Sequence, residues 1–245
     1  MANNTKIRTI DESVFSNYGE DAEYWCGILA TDGNISFCRT STVPCVCYSS
    51  KDVEHVVKFR SFLKADYVIS FRDKLGTFGQ NKLAMLRFTS REIGELLICN
   101  GITPKKSLTL VVSERLTKSR HFWRGVIDGD GSIGIYGKYL NPVISLSSGS
   151  FQFIKQFAEF CSNAGLRPKI SSCEIKDFSV TPHYRVAFGS SQARQLISIL
   201  YADVVVALDR KKVIAEKIFA QPVRHRYERQ QSVILGVRVG ANVVQ

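Results

Sequence analysis

The chain has 245 residues, 44% of them hydrophobic, so it can bury a full core as one domain or as two small ones. Its apolar runs fall short of the roughly 18 residues of a membrane span, which argues against a membrane protein. Its seven cysteines are scattered and contain no CxxC pair, so neither a zinc knuckle nor a disulfide framework is indicated. A net charge of +11 favours a polyanionic partner such as nucleic acid, and the cysteine usage favours an intracellular, reducing compartment (cytoplasm, nucleoid or organelle matrix).

The first predicted element is a helix in which acidic residues precede an apolar stripe. Trp25, Ile28 and Leu29 fall at i, i+3 and i+4, and Gly33 ends the helix. Alternation and turn residues predict the elements that follow. These are strands at 34–40 and 43–49, a helix at 50–65, a hairpin of strands 67–74 and 82–88, and a helix that Ser90 caps and that runs to Cys99.

The second half of the chain repeats this order. It comprises a helix around Trp123, strands at 132–137 and 142–147, a helix at 149–163, a hairpin of 169–176 and 183–189, a helix from Ser191 to Tyr201, and one more helix at 208–220. The predicted fold is therefore α+β, with two pseudo-symmetric αββαββα repeats that each carry a curved antiparallel sheet. The expected domains are a first repeat at 1–100, a linker at 101–118, a second repeat at 119–220, and a tail at 221–245 that is a terminal hairpin or a loose arm.

The two predicted first helices share a residue pattern at a constant offset of 98 residues. "YWCGILATDGNISF" at 24–37 aligns with "FWRGVIDGDGSIGIYG" at 122–137, which pairs Gly27 with Gly125 and Asp32 with Asp130. Small residues on one helical face let two backbones approach closely. If these helices pack together, their C-terminal ends bring Asp32 and Asp130 side by side.

Two adjacent carboxylates at helix C-termini repel each other, so we expect divalent cations to occupy such a site. Hard oxygen ligands with water completing the shell suit Mg²⁺, and two metals can clamp the attacking and leaving oxygens of a phosphodiester. A calcium-binding EF-hand loop starting at Asp128 is rejected, because its sixth position is Ile133 and its twelfth is Tyr139.

The segments "WCGILATDG" at 25–33 and "WRGVIDGDG" at 123–131 resemble the two signature motifs of the single-chain LAGLIDADG homing endonucleases. The resemblance implies repeats joined at the LAGLIDADG helix pair in a monomer. It implies an enzyme that makes a Mg²⁺-dependent double-strand break with short 3′ overhangs in a long, asymmetric DNA target during intron homing. The metal ligands would be Asp32 and Asp130, sharing two or three ions. The sixth motif position, Asp128 in one copy and Ala30 in the other, is implied to be less critical.

The family also places a lysine near each active centre, at or before the last helix of each half. The predicted catalytic lysines are Lys106 and Lys211, which could orient the attacking water or stabilise charge on the phosphate. Their neighbours Lys105, Arg210 and Lys212 remain alternatives.

Alternation along the strands predicts which side chains face the core and which face DNA. The predicted core positions are Ile35, Phe37, Ile133, Ile135, Tyr184, Val186 and Phe188. The predicted DNA contacts are Ser36, Cys38, Thr40, Arg72, Arg87, Tyr136, Lys138, His183 and Arg185.

Double-stranded DNA is the expected partner, and no membrane partner is expected. The main alternative is an intron maturase or a non-cleaving DNA- or RNA-binding protein on the same scaffold, for which intron RNA would be the partner. A metal-dependent hydrolase of small molecules is a third reading, but it would not need two extended basic sheets.

Overall fold

The computed structural model describes residues 8–38, 41–76, 79–173 and 183–222. Within these ranges the α-helices are α1 (Glu20–Thr31), α2 (Val53–Phe62), α3 (Arg91–Cys99), α4 (Glu114–Lys118), α5 (Arg120–Gly129), α6 (Phe151–Asn163), α7 (Ser190–Tyr201) and α8 (Asp209–Ala220). The strands are β1 (Gly33–Cys38), β2 (Ser41–Ser50), β3 (Ser70–Gly76), β4 (Gly79–Thr89), β5 (Ser132–Tyr136), β6 (Asn141–Ser148), β7 (Ile170–Cys173) and β8 (His183–Gly189). Short 3₁₀ helices span Glu12–Phe15 and Lys106–Leu108.

The strands form two antiparallel sheets with the same topology. Their orders are β1-β2-β4-β3 and β5-β6-β8-β7. Each sheet belongs to a run of elements in the order αββαββα, from α1 to α3 and from α5 to α7. The predicted α+β fold with two repeats is therefore confirmed. The proposed domain boundaries at 100, 118 and 220 stay predictions, and most of the 221–245 tail lies outside the described residues.

The repeat extends into the hydrophobic core. The ring of Trp25 packs against Phe59 of α2 with centroids 4.8 Å apart, and Trp123 packs against Phe157 of α6 at 5.0 Å. All four side chains are fully buried. Trp123 follows Trp25 by 98 residues, and Phe157 follows Phe59 by 98 residues, which is the offset between the motifs. Each repeat therefore closes its core around one tryptophan and the helix that covers its sheet.

The helices α1 and α5 lie against each other with their backbones in contact. An ideal Cβ on Gly27 would lie 2.2 Å from the carbonyl oxygen of Phe122, and one on Gly125 would lie 2.1 Å from that of Tyr24. No real Cβ tolerates such distances, so glycine is required at both positions. The predicted close approach of the two motif helices is confirmed, and this contact joins the repeats.

Several local predictions are wrong. Phe37 was expected in the core, but it is 51% exposed, because the pairing of β1 with β2 shifts register after this residue and the alternation fails at the strand end. Lys138 was placed on a strand, but β5 ends at Tyr136 and Lys138 lies in the exposed turn that follows. Ile135 and Tyr184 are only half-buried. The predicted linker contains α4, whose Leu116 is fully buried.

Within the described ranges, no helix is long and apolar enough to cross a membrane. The cysteines whose side chains are described are free thiols, namely Cys26, Cys45, Cys47, Cys99 and Cys161. The reducing compartment stays a prediction.

Candidate active site at the ends of the paired helices

Asp32 and Asp130 lie at equivalent positions, as the C-terminal caps of α1 and α5. The backbone N–H of Asp32 donates to the carbonyl of Ile28, and that of Asp130 donates to the carbonyl of Val126. An ideal Cβ on Gly129 would lie 3.5 Å from Oδ2 of Asp32, so this carboxylate lies against the last turn of α5. The glycine-mediated packing of the helices therefore brings the two acids to one place, where both residues remain accessible from solvent.

The electrostatics of the site oppose ionisation of both acids. Desolvation and, to a smaller extent, the Asp130 carboxylate raise the pKa of Asp32 to about 6, against the opposing charges of Lys211, Arg210 and Lys106. Desolvation also raises the pKa of Asp130, while Lys211 and Lys106 lower it. Because like charges at Asp32 and Asp130 repel each other, a cation that binds between the two carboxylates is favoured.

The donor set fits a hard divalent cation that takes part of its shell from elsewhere. Among the residues that the structure describes, no three His, Cys, Asp or Glu side chains converge as a possible metal site. A cation at Asp32 and Asp130 would therefore need oxygens from water and from a ligand. Mg²⁺ binds in this way, because it usually takes one or two carboxylates together with substrate phosphates and several waters.

A buried lysine contacts the backbone at the C-terminal end of each motif helix. Lys211, in the first turn of α8, donates from Nζ to the carbonyls of Ile127 at 2.6 Å, Asp128 at 2.9 Å and Gly131 at 2.7 Å. Lys106, in the 3₁₀ helix after α3, donates from Nζ to the carbonyl of Gly33, which is the counterpart of Gly131 in the first motif. The two predicted lysines thus occupy corresponding places beside the acids.

Burial changes the protonation of these lysines. It lowers the pKa of Lys211 to about 8 and lowers that of Lys106, although Asp32 and Asp130 act in the opposite sense on both. The alternative basic residues lie differently: Lys212 donates to the carbonyl of Val204, and Arg210 pairs with Asp52 at 3.1 Å. Lys106 and Lys211 are therefore the better placed candidates for a catalytic role.

A buried network around Asp128 was missed by the sequence analysis. Its carboxylate accepts hydrogen bonds from the hydroxyls of Tyr24 at 2.8 Å and Tyr201 at 2.6 Å and from the backbone N–H of Leu208 at 2.7 Å. Burial raises the pKa of Asp128, and these three donors lower it. The sequence does show a carboxylate in the middle of an apolar helix face, which indicates a buried acid with hydrogen-bond donors around it. It could not identify those donors, because they lie more than 70 residues away in the chain.

The network continues into the first repeat through His55. Its Nε2 lies 2.7 Å from the Tyr24 hydroxyl, and its Nδ1 lies 2.6 Å from that of Tyr48. Burial lowers the pKa of His55 to about 4, so the ring is neutral at neutral pH. A neutral ring can donate from Nε2 to Tyr24 and accept from Tyr48, which lets Tyr24 donate to the Asp128 carboxylate. Polar groups of both repeats are thus satisfied in one chain of hydrogen bonds.

A cavity of about 480 Å³ opens beside Asp130. Its walls include Thr31, Lys106, Ser147 and His183, so it is lined by both repeats and holds one acid, one lysine and one imidazole. His183 was predicted as a DNA contact, and the structure places it in the wall of the same cavity as Asp130. This space can admit a phosphate group beside Asp130.

The outer faces of the sheets carry most of the predicted DNA contacts. Arg72, Arg87, Tyr136, Lys138, His183 and Arg185 are exposed, and Ser36 is half-buried. Arg87 lies opposite Cys47 in the ladder, and Arg185 donates to the hydroxyl of Ser145 at 3.1 Å. Thr40 and the side chain of Cys38 lie outside the described residues. None of these contacts to DNA has been tested, so they stay predictions.

Residues 117–200 match the model of a protein family described as the LAGLIDADG-like domain. The matched segment covers most of the second repeat, and the resemblance found in the sequence is confirmed. No curated protein matches the sequence.

Solved structures extend this likeness to both repeats. The homing endonuclease I-WcaI bound to its DNA recognition sequence shares 10% identity over 86% of this chain and 94% of its own, with a TM-score of 0.58. A mesophilic variant of the homing endonuclease I-DmoI shares 15% over 84% and 98%, with a TM-score of 0.52. A further I-DmoI variant, in complex with its target DNA in the presence of magnesium, shares 16% over 80% and 100%, with a TM-score of 0.50. The chain has the fold of the single-chain LAGLIDADG homing endonucleases.

Proposed function

We propose that the protein is a monomeric homing endonuclease that cuts both strands of a long, asymmetric DNA site and leaves short 3′ overhangs. One observation carries this proposal: the paired helices end in two adjacent carboxylates, and each helix end is contacted by a buried lysine. Each of the two repeats that meet at this site carries a sheet of the same topology, and such a pseudo-twofold arrangement suits the two antiparallel strands of a duplex. The DNA complexes of I-WcaI and I-DmoI support the same reading.

Two or three Mg²⁺ ions shared by Asp32 and Asp130 would complete the site. Bound there, Mg²⁺ would stabilise charge on the attacking and leaving oxygens of the phosphodiester. The two carboxylates would hold the ions in place, and the ions would offset the desolvation and the repulsion from Asp130 that raise the pKa of Asp32. The cavity beside Asp130 leaves room for the phosphate that would complete the metal shell.

The lysines would act on water and on the phosphate at each strand. Because burial lowers the pKa of Lys211 to about 8, its Nζ can hold or release a proton near neutral pH. In its charged form it would stabilise the negative charge that develops on the phosphate. Lys106 would do the same for the other strand, since it occupies the corresponding place in the first repeat.

The exposed faces of the sheets would read the DNA. Arg72, Arg87 and Arg185 are exposed and would contact guanine edges or phosphates, since a twisted antiparallel sheet can lie in the major groove. The net charge of +11 adds a sequence-independent attraction to the duplex. Intron RNA as a partner, and with it the maturase reading, gains no support from the comparisons.

The test begins with wild-type protein, Mg²⁺ and a pool of randomised duplex DNA, from which cleaved molecules are sequenced. We expect one long site to be recovered. Asp130→Asn should bind this site with unchanged affinity and should not cut it. The matched control is Asp21→Asn, which lies exposed at the opposite end of α1 and should cut normally. Normal cutting by Asp130→Asn would refute the metal assignment, whereas tight binding of group I intron RNA without any DNA cleavage would favour the maturase.

A further inference from the structure

The position of Lys211 depends on how α8 begins. Lys211 is the third residue of this helix, and its backbone N–H donates to the carbonyl of Leu208, the residue that caps it. Its amino group then reaches the three carbonyls at the end of α5. Any shift of Leu208 relative to α5 would therefore move the amino group relative to Asp130.

The carboxylate of Asp128 ties Leu208 to α5. It accepts a hydrogen bond from the backbone N–H of Leu208 at 2.7 Å. The apolar side chain of Leu208 cannot cap the helix itself. A carboxylate at a helix N-terminus is also favoured by the helix dipole. Because Asp128 is only two residues from Asp130, one short segment of α5 carries the acid and also holds the helix that delivers the lysine.

The carboxylate is itself fixed in place. It is fully buried, and the hydroxyls of Tyr24 and Tyr201 donate to its two oxygens. A buried polar network in which every member is satisfied is rigid and holds one geometry. The bonds of Lys211 itself and the bond from Arg124 to the carbonyl of Val206 also tie this region. Its ion pairs, Lys58 with Asp209 and Arg210 with Asp52, are solvent-accessible, and pairs of this kind contribute little.

The first motif has no equivalent device. Ala30 occupies the position that matches Asp128. Lys106 is instead delivered by a 3₁₀ helix that follows Lys105, whose backbone adopts a φ of 57°. The two lysines therefore reach corresponding places by different means, and only one of them depends on a buried carboxylate.

We infer that Asp128 is a positioning residue for Lys211 and that its loss slows the cleavage of one DNA strand selectively. This inference rests on the proposed endonuclease function. A general loss of stability or of DNA affinity would slow both strands, whereas displacement of Lys211 alone slows only the strand that this lysine serves.

The test measures single-turnover cleavage of each strand of the selected site, with the two strands labelled differently. Lys211→Met and Lys106→Met first identify the strand that each lysine serves. Asp128→Ala, which reproduces the residue of the first motif, should slow the Lys211 strand about 10- to 100-fold and accumulate nicked DNA. The other strand and the DNA affinity should change by less than about 3-fold, because the sheets and Lys106 are not moved.

Asp128→Asn keeps the shape of the side chain and one acceptor oxygen, so it covers the case in which Asp128→Ala does not fold. It should slow the same strand by a smaller factor than Asp128→Ala. The matched control is Asp209→Asn, which removes only an exposed tie of α8 and should cleave both strands normally.

Equal slowing of both strands by Asp128→Ala and Asp128→Asn, or no slowing, would overturn the inference. A wild-type protein that cuts no DNA would instead refute the proposed function itself. The two failures are therefore distinguishable.

Discussion

Replacing Gly125 by alanine tests the contact that joins the two repeats. The new Cβ would lie 2.1 Å from the carbonyl oxygen of Tyr24 and 3.0 Å from the Cα of Gly27. Both neighbours belong to the backbone of α1, so no side chain can rotate away. To bring the first distance to the 3.0 Å limit of real Cβ contacts, the helices would have to separate by about 1 Å.

This displacement sets the size of the effect. Overpacking of a tight core costs about 1–3 kcal/mol, and a clash with backbone belongs at the upper end. Alanine in a helix interior recovers about 1 kcal/mol of helix propensity relative to glycine. The net loss in unfolding free energy is about 2 kcal/mol, which lowers Tm by about 4–8 °C in a chain of this size. A shift of about 1 Å between the acids should also reduce cleavage about 100-fold.

Thermal unfolding and single-turnover cleavage measure the two effects. Gly19→Ala is the matched control, because nothing lies within 4 Å of its Cβ position, and it should stay within about 1 kcal/mol of wild type. If Gly125→Ala were as stable as wild type and cleaved DNA equally fast, the helices would not depend on backbone contact, and the account of how the acids are brought together would be wrong.

Three further predictions concern the cation, the network and the DNA surface. Because the pKa of Asp32 is raised to about 6, a proton competes with the cation below that pH, so calorimetry should show weaker Mn²⁺ binding at about pH 5 than at about pH 8; constant affinity would contradict this. Tyr24→Phe removes one hydrogen-bond donor from Asp128 and should lower the free energy of unfolding by about 1–3 kcal/mol. Urea unfolding measures this loss against Tyr136→Phe at an exposed position, and equal stability of the two variants would argue against the network. Arg87→Ala should weaken DNA binding and reduce its salt dependence by about one ion, whereas Arg91→Ala on α3 should not; an unchanged salt slope would exclude a phosphate contact by Arg87.

The sequence predicted the elements that local patterns and the repeat define. Alternation located the strands, and the 98-residue offset identified Gly27, Gly125, Asp32 and Asp130 as equivalent pairs, from which packing of the two helices followed. A glycine at the same place in two related helices is a local signal of close approach. The position of the acids then follows from helix geometry alone.

What the sequence did not predict depends on contacts between distant segments. The hydrogen bonds of Asp128 join α5 to three residues that lie 73, 80 and 104 positions away in the chain. A periodic pattern within one element does not indicate which distant residues such an element contacts. The exposure of Phe37 depends on a register shift between two strands, which alternation within one strand does not contain. The family resemblance implied that the sixth motif position is less critical to the chemistry, and this stays a prediction. The positioning role that we infer for Asp128 rests on its contact with Leu208, which lies 80 residues away in the chain.

The central claim is that Asp32 and Asp130 hold shared cations at the ends of the two paired helices. Anomalous diffraction from a crystal of the protein with its selected DNA and Mn²⁺ tests it most directly. We expect anomalous peaks within about 2.3 Å of an oxygen of each carboxylate, with a DNA phosphate on the same ions. Peaks bound elsewhere on the protein, in crystals whose DNA is cleaved, would contradict the claim.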